Sequence, residues 1–95
     1  MSAQYDTIHN HHEQAVFEAV NAGAAAFEHL RAQDLLTDVA CVALNRIAPR
    51  YIRHDVDFSF YLSDKERADN ERHIAEAVAF AFEFVQARAA MRARA

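Results

Sequence analysis

The chain has 95 residues, an apolar fraction of 53% and a formal net charge of −4, which indicate one small globular domain and exclude a disordered chain. The acidic balance argues against a protein that binds nucleic acid through a broad basic surface. One cysteine allows no disulfide within the chain, and no leader or membrane-length apolar run is present, so we expect a cytoplasmic protein without a membrane partner.

Two helices are predicted in the first half of the chain. One glycine and one proline among 95 residues favour long helices with few tight turns. Apolar periodicity predicts the first helix over residues 8–30, with Phe17 pointing outward, either as an isolated exposed residue or as a contact with a second subunit. The second helix is predicted over residues 33–47, because Pro49 pushes Ala48 out of helical geometry.

The segment after the proline alternates between apolar and mostly polar residues. Its apolar positions are Val56, Phe58, Phe60 and Leu62. Alternation with a period of two, built from aromatic and β-branched residues, predicts a short β-strand.

A third helix is predicted over residues 64–88. The stretch SDKE has the form of a capping box, in which Ser63 and Glu66 satisfy each other's free helix-end groups. The apolar arc of this helix covers roughly 200°, so we expect neighbours on two sides. The predicted fold is thus a single mostly α domain over residues 1–95, with three main helices and one short strand between the second and third.

A lone strand needs a partner for its backbone amides and carbonyls. The sequence offers no convincing second strand, since residues 50–53 could supply only a residue or two. The simplest solution is a homodimer whose two strands pair antiparallel across a two-fold axis, with residues 56–62 at or near the interface. The alternative is a monomer in which this segment is an extended loop packed on helices.

Three arginines lie around the proline with no acid among them: Arg46, Arg50 and Arg53. Cations near a helix C-terminus complement its dipole, which suffices to explain one of them. Duplicated by a two-fold axis, however, arginines beside Tyr51 could grip the phosphates of a symmetric dinucleotide and stack on its bases. Asp55 and Asp57 could then accept hydrogen bonds from a base edge.

Other reactive residues give weaker signals. His9, His12 and Glu13 have helical spacings that can present metal ligands, but no further ligand is evident and a hydrogen-bonded histidine is the commoner outcome. Cys41 lies among aliphatic residues, so we expect a buried, inert thiol. The sequence contains no P-loop, GxGxxG, GxSxG or cysteine–histidine zinc spacing, and we therefore expect no enzyme and no cofactor.

The stretch DVACVALNRIAPRYIRHDVDFSFYLS resembles the signature of the late competence development protein ComFB family. The matching pattern is Asp38-Val39-Ala40, then Ala43-Leu44-Asn45-Arg46, then Pro49-Arg50-Tyr51-Ile52. The resemblance implies a small, mostly helical homodimer. Some members carry a zinc site built from cysteines just before the DVA segment, where this chain has none; its single cysteine, Cys41, follows that segment, so we expect no metal.

Other members of that family are similar to receptors for cyclic di-GMP, in some cases cyclic di-AMP, linked to motility and competence. The resemblance therefore implies a cytoplasmic signalling homodimer that binds a cyclic dinucleotide and relays it to a protein partner. The ligand-binding residues would be Arg46, Arg50, Arg53, Tyr51, Asp55 and Asp57. The alternative is a non-enzymatic interaction dimer without a small ligand, whose arginines cap the second helix and bind carboxylates of the partner chain.

Overall fold

The computed structural model describes residues 3–94, apart from the side chain of Asp57, and most of these residues are helical. In chain order the elements are the 3-10 turn Tyr5–Thr7, β1 His9–Asn10, α1 Glu13–Gly23, the 3-10 turn Ala24–Phe27, α2 Glu28–Ala32, α3 Leu36–Arg46, β2 Tyr51–Ile52, α4 Asp55–Tyr61 and α5 Asp64–Arg94. The prediction of a mostly α fold with a short strand after the proline is confirmed, but the strand lies at Tyr51–Ile52 and not at the predicted residues 56–62.

The hydrophobic core lies between α1, α3 and α5. Val16, Leu30 and Val39 are fully buried in it, and small residues such as Ala43 and Ala81 let the helices approach closely. Each buried Val or Leu side chain contributes roughly 1.5–3 kcal/mol relative to an exposed one. Because α5 packs against both α1 and α3, the expectation that this helix has neighbours on two sides is confirmed.

The single glycine lies where α1 meets α5. A Cβ atom at Gly23 would lie 2.9 Å from Cε2 of Phe82, closer than side chains normally tolerate. The ring of Phe82 is buried and stacks on Phe27 with 4.5 Å between centroids, so it has little room to move. Glycine therefore allows the close approach of α1 to this aromatic pair.

The prediction of the first helix is wrong at its start, and the predicted segment is not one continuous helix. Residues 8–12 precede α1, and the 3-10 turn Ala24–Phe27 separates α1 from α2. A 3-10 turn advances about 120° per residue rather than 100°, so it rotates the apolar face. Ala24 is consequently buried and Ala26 is exposed, whereas uninterrupted helical periodicity would place Ala26 on the apolar face.

A left-handed residue joins α2 to α3. Asp34 has a φ of 59°, which Asp tolerates better than most residues. The amide of Leu35 donates to the carbonyl of Leu30, and that of Asp34 to Arg31, at 2.9 and 3.1 Å. These are the two hydrogen bonds of a Schellman motif, so α2 ends in a defined way and α3 starts in a new direction.

The proline break leads into a two-stranded ribbon. α3 ends at Arg46, and Ile47 is already extended, as predicted for the approach to Pro49. β2 then pairs antiparallel with β1, with His9 opposite Ile52 and Asn10 opposite Tyr51. The strand after the proline therefore finds its partner within the same chain.

The predicted strand over residues 56–62 is wrong, because residues 55–61 form α4. Two apolar residues four apart, such as Val56 and Phe60, fit one helix face as well as one strand face. The amide of Phe58 donates to the carbonyl of His54, a helical bond. Since β2 pairs with β1, the predicted need for a strand from a second copy no longer holds, and a single chain does not test the homodimer.

The start of α5 confirms the Ser63 half of the predicted capping box, whereas the Glu66 carboxylate bonds the Ser63 hydroxyl and not its backbone amide. The amide of Glu66 donates to Oγ of Ser63 at 3.1 Å, and that hydroxyl donates to the Glu66 carboxylate at 3.3 Å. The helix continues to Arg94, six residues beyond its predicted end at Arg88. Within the described part of the chain, no helix has the length and apolar character to cross a membrane.

Candidate functional site

The arginines that were predicted to bind a ligand do not all lie together in one site. The guanidinium of Arg46 lies 3.7 Å above the ring of Phe80 on α5, beside a groove of about 330 Å³ that His73 and Glu76 also line. The guanidinium of Arg50 lies 4.7 Å from the ring centre of Phe58 on α4. The break after α3 thus sends these two cations to aromatic rings on different helices.

The remaining predicted residues lie near Arg50. Tyr51 on β2 is 67% exposed, and Arg53 is exposed at the end of the ribbon. Asp55 is the first residue of α4, where a carboxylate suits the helix dipole. The structure therefore groups Arg50, Tyr51, Arg53 and Asp55 along one short exposed segment, and the side chain of Asp57 lies outside the described part.

The carboxylate of Asp55 faces two histidines from the N-terminal segment. Its Oδ1 accepts a hydrogen bond from Nε2 of His9 at 3.1 Å and lies 3.7 Å from Nδ1 of His11. Hydrogen bonding to His9 holds the pKa of Asp55 below its ordinary value and raises the pKa of His9 above its own. The ribbon and α4 are thus joined by a polar contact between residues far apart in the chain.

Asn10 is the polar centre of this region, and sequence reasoning missed it. Its side chain is buried, and its Oδ1 accepts hydrogen bonds from the amides of His12 and Arg50 at 3.2 and 3.1 Å. In addition, the amide of His11 donates to the carbonyl of Arg50 at 2.7 Å. Asn side chains that bond a backbone amide two residues on are typical of turns before helices, so the signal was present in HNHHE.

His11 and Phe58 were also missed as partners. Their rings meet edge to face with 4.6 Å between centroids, while Arg50 approaches the same Phe58 ring. Phe58 is therefore the aromatic side chain that fixes α4 against the ribbon. No local pattern links it to His11, because the contact spans more than 40 residues of sequence.

The metal alternative gains no support from the geometry. His12 is buried before α1, and desolvation lowers its pKa, which favours a neutral ring. His9 turns toward Asp55 instead of toward Glu13. Across residues 3–94, with the Asp57 side chain aside, no three His, Cys, Asp or Glu side chains form a group that could hold a metal ion.

Cys41 is exposed, so the prediction of a buried thiol is wrong. It lies on the side of α3 away from the core, next to Asn45, whose side-chain amide donates to the Cys41 carbonyl at 2.9 Å. The aliphatic neighbours in sequence did not imply burial, since a helix turns adjacent residues to different faces.

The largest groove described, of about 420 Å³, lies between α1, α4 and α5. Asp55, Ser59 and Arg67 are among its polar lining residues. Arg67 also donates to the carbonyl of Ser59, which ties the end of α4 to the start of α5. Asp55 thus lies at the boundary between this groove and the exposed segment with Arg50 and Tyr51.

The chain was compared with protein families, curated proteins and solved structures. The family model of the late competence development protein ComFB matches residues 9–89, which includes the ribbon, α4 and most of α5. No curated protein and no solved structure matches the chain.

Proposed function

This chain belongs to the late competence development protein ComFB family, a family of competence-related proteins, and from that premise we propose that it is a cytoplasmic receptor for a cyclic dinucleotide. Cyclic di-GMP is the first ligand to test. The receptor acts as a non-enzymatic homodimer that relays binding to a partner protein in motility or competence.

One observation carries the proposal: a single exposed segment combines two guanidinium groups, an aromatic ring and a carboxylate. Arg50 and Arg53 supply planar forks for phosphate oxygens, and Tyr51 offers an exposed face for a base. Asp55 supplies an acceptor for the amino group of a guanine edge. Arg50 also has an aromatic support in Phe58, which limits the conformations of its long side chain.

The ion pairs within the chain leave the three arginines available to a ligand. If the arginines served only to neutralise the chain's own acids, they would be paired with carboxylates. Among the described side chains, the ion pairs of arginine are Arg31 with Glu28 and Arg72 with Asp69. The cationic edges of Arg46, Arg50 and Arg53 are therefore not committed to any described carboxylate.

Calorimetric titration with cyclic di-GMP tests the proposal, with cyclic di-AMP and GMP as controls. Loss of a charged hydrogen bond costs about 1.5–3 kcal/mol, so we expect Arg50→Ala to weaken binding roughly 10- to 100-fold while folding is preserved. Arg53→Ala should weaken binding less, and Arg46→Ala least, since the Arg46 guanidinium lies over Phe80 of α5, away from the segment with Arg50. Unchanged affinity in all three variants would refute the assignment.

The matched control keeps the charge at residue 50. Arg50→Lys retains a cation but loses the planar fork, so it should recover only part of the affinity. The backbone of Arg50, which holds the ribbon through Asn10, is unaffected by either variant. One dinucleotide per dimer would indicate a site on a two-fold axis, and one per chain a site within each subunit.

A second candidate function is an interaction dimer without a small ligand. The observation that favours it is the outer face of α4, where Val56, Phe60 and Tyr61 are 72%, 83% and 83% exposed. Three large apolar residues on one short helix are typical of a contact surface. A dimer by sedimentation that Phe60→Glu dissociates, together with no heat from either dinucleotide, would favour this candidate.

A further inference from the structure

Protonation of His9 strengthens its contact with Asp55. Nε2 of His9 lies 3.1 Å from Oδ1 of Asp55, and Nδ1 of the same ring lies 3.3 Å from the carbonyl oxygen of Thr7. Both partners are acceptors, whereas a neutral imidazole carries only one N–H. Only the protonated ring donates to both, so this geometry fits an imidazolium.

Few other contacts hold α4 in place. Its first turn has no side-chain cap from His54, and beyond the Asp55 contact it is anchored by Phe58 and by the bond from Arg67 to Ser59. Losing the His9 contact would therefore free the first turn of α4 from β1. The same event would release the Asp55 carboxylate.

We propose that His9 and Asp55 form a pH-dependent latch that holds α4 on the N-terminal strand and withholds Oδ1 of Asp55 from a ligand. The proposal adds regulation to the cyclic dinucleotide site and, for its ligand-binding consequence alone, rests on that function. In the closed state Asp55 is occupied by His9. In the open state its Oδ1 is available to a base edge, on the same short exposed segment as Arg50 and Tyr51.

The carboxylates around the latch both favour the protonated form of His9. Asp55 on α4 and Glu13 on α1 both raise the pKa of His9, with the Asp55 hydrogen bond the larger cause. His11, on the segment between β1 and α1, faces the same carboxylate oxygen at 3.7 Å, and its Nδ1 is buried without another described partner. A shift of about half an ångström would bring it within hydrogen-bond distance.

The sign of the pH dependence follows from both partners. Because the pKa of His9 is raised from 6.5, its stabilisation is complete below 6.5 and is lost as pH rises through the raised value. Because the pKa of Asp55 is lowered from 3.8, its stabilisation is present above 3.8 and is lost as pH falls through the lowered value. The latch is therefore strongest between about pH 4 and 6.5 and weakens toward alkaline pH.

Hydrogen exchange of the ligand-free protein tests the latch directly. EDTA is present in the sample to remove metal ions. After correction for intrinsic rates, we expect the α4 amides to be roughly 2- to 5-fold more protected at pH 6.0 than at pH 8.0, as suits one exposed ion pair. His9→Ala should give low protection at both pH values. His9→Gln can donate to Asp55 but does not titrate, so its protection should not change with pH.

His29→Ala is the matched control, because His29 is an exposed histidine on α2, in another element of the fold. It should behave as the unmodified chain does. Equal protection of α4 at both pH values in the unmodified chain, or a pH response retained in His9→Ala, would overturn the latch. NMR titration of the His9 ring should also show its pKa falling in Asp55→Asn.

Affinity for cyclic di-GMP separates the latch from the receptor function. The phosphodiesters stay ionised from pH 6 to 8, so a change in affinity over that range comes from the protein. We expect binding to be roughly 2- to 5-fold tighter at pH 8.0, and His9→Ala to bind equally at both values. If the dinucleotide does not bind at all, the receptor function fails, and hydrogen exchange still decides the latch.

Discussion

The molecule contains two regions that are built from different contacts. Between α1, α3 and α5, aliphatic side chains and alanines are buried against one another, and each helix has several partners. Between the ribbon and α4, the contacts are a buried amide, two histidines, a carboxylate and one aromatic ring. The stability that the first region supplies barely depends on pH, because its contacts are apolar. The stability of the second region depends on protonation and on a few hydrogen bonds.

The largest contrast is expected from leucine truncation in each region. Leu30 is fully buried in the core, and Leu62 is half-buried at the groove beside α4. Leu30→Ala should lower the free energy of unfolding by about 2–5 kcal/mol, because it removes buried methyl groups and leaves a cavity. Leu62→Ala should cost about 1 kcal/mol, since solvent already reaches that site. Urea denaturation followed by circular dichroism measures both.

Equal losses in the two variants would erase the distinction between the regions. It would mean that α4 and its groove are as well packed as the helical core. A Leu30 variant with a loss below 1 kcal/mol would instead mean that the core relaxes into the cavity. Either result would change which region is regarded as the stable scaffold.

The difference between the regions also explains what the sequence could predict. The buried stripe of α3, which includes Val39, Ala40 and Ala43, followed directly from helical periodicity. The Ser63 capping box and the stop before Pro49 followed from local chemistry. Each of these signals lies within a few residues of what it determines.

The predictions for the ribbon and for α4 were wrong because the residues that determine these elements are distant in sequence. The residues HNH could extend a helix, and only pairing with residues 51–52 makes His9–Asn10 a strand. The seven residues of α4 alternate like a strand, and only the contact of Phe58 with His11 selects one face. Arginine and aspartate types indicated candidate ligand residues, and HNHHE held a local signal for Asn10. The contacts of His9 with Asp55 and of Phe58 with His11 came from the fold alone.

The second prediction concerns the buried amide that centres the ribbon. Asn10→Ala should lower the free energy of unfolding by about 1–3 kcal/mol, because the amides of His12 and Arg50 lose their acceptor in a buried place. The loss should be accompanied by faster amide exchange at Arg50 and His12. It would therefore be a large effect in the region of few contacts.

Asn10→Asp is the matched control, since it keeps an acceptor oxygen at nearly the same size. It should retain most of the stability that the alanine variant loses, and most of the exchange protection. If both variants lose the same amount, the acceptor role of Oδ1 is wrong, and the fit of the amide NH₂ decides the site instead. Denaturation and exchange on the same samples distinguish these outcomes.

The smallest effect comes from serines at two helix positions. Ser63 caps α5, so Ser63→Ala should cost about 1 kcal/mol and fray the turn that includes Glu66. Ser59 lies within α4 and donates only to the carbonyl of Asp55, so Ser59→Ala should change stability by less than about 0.5 kcal/mol. Urea denaturation compares them. A larger loss for Ser59 than for Ser63 would show that α4, rather than the start of α5, limits the stability of this junction.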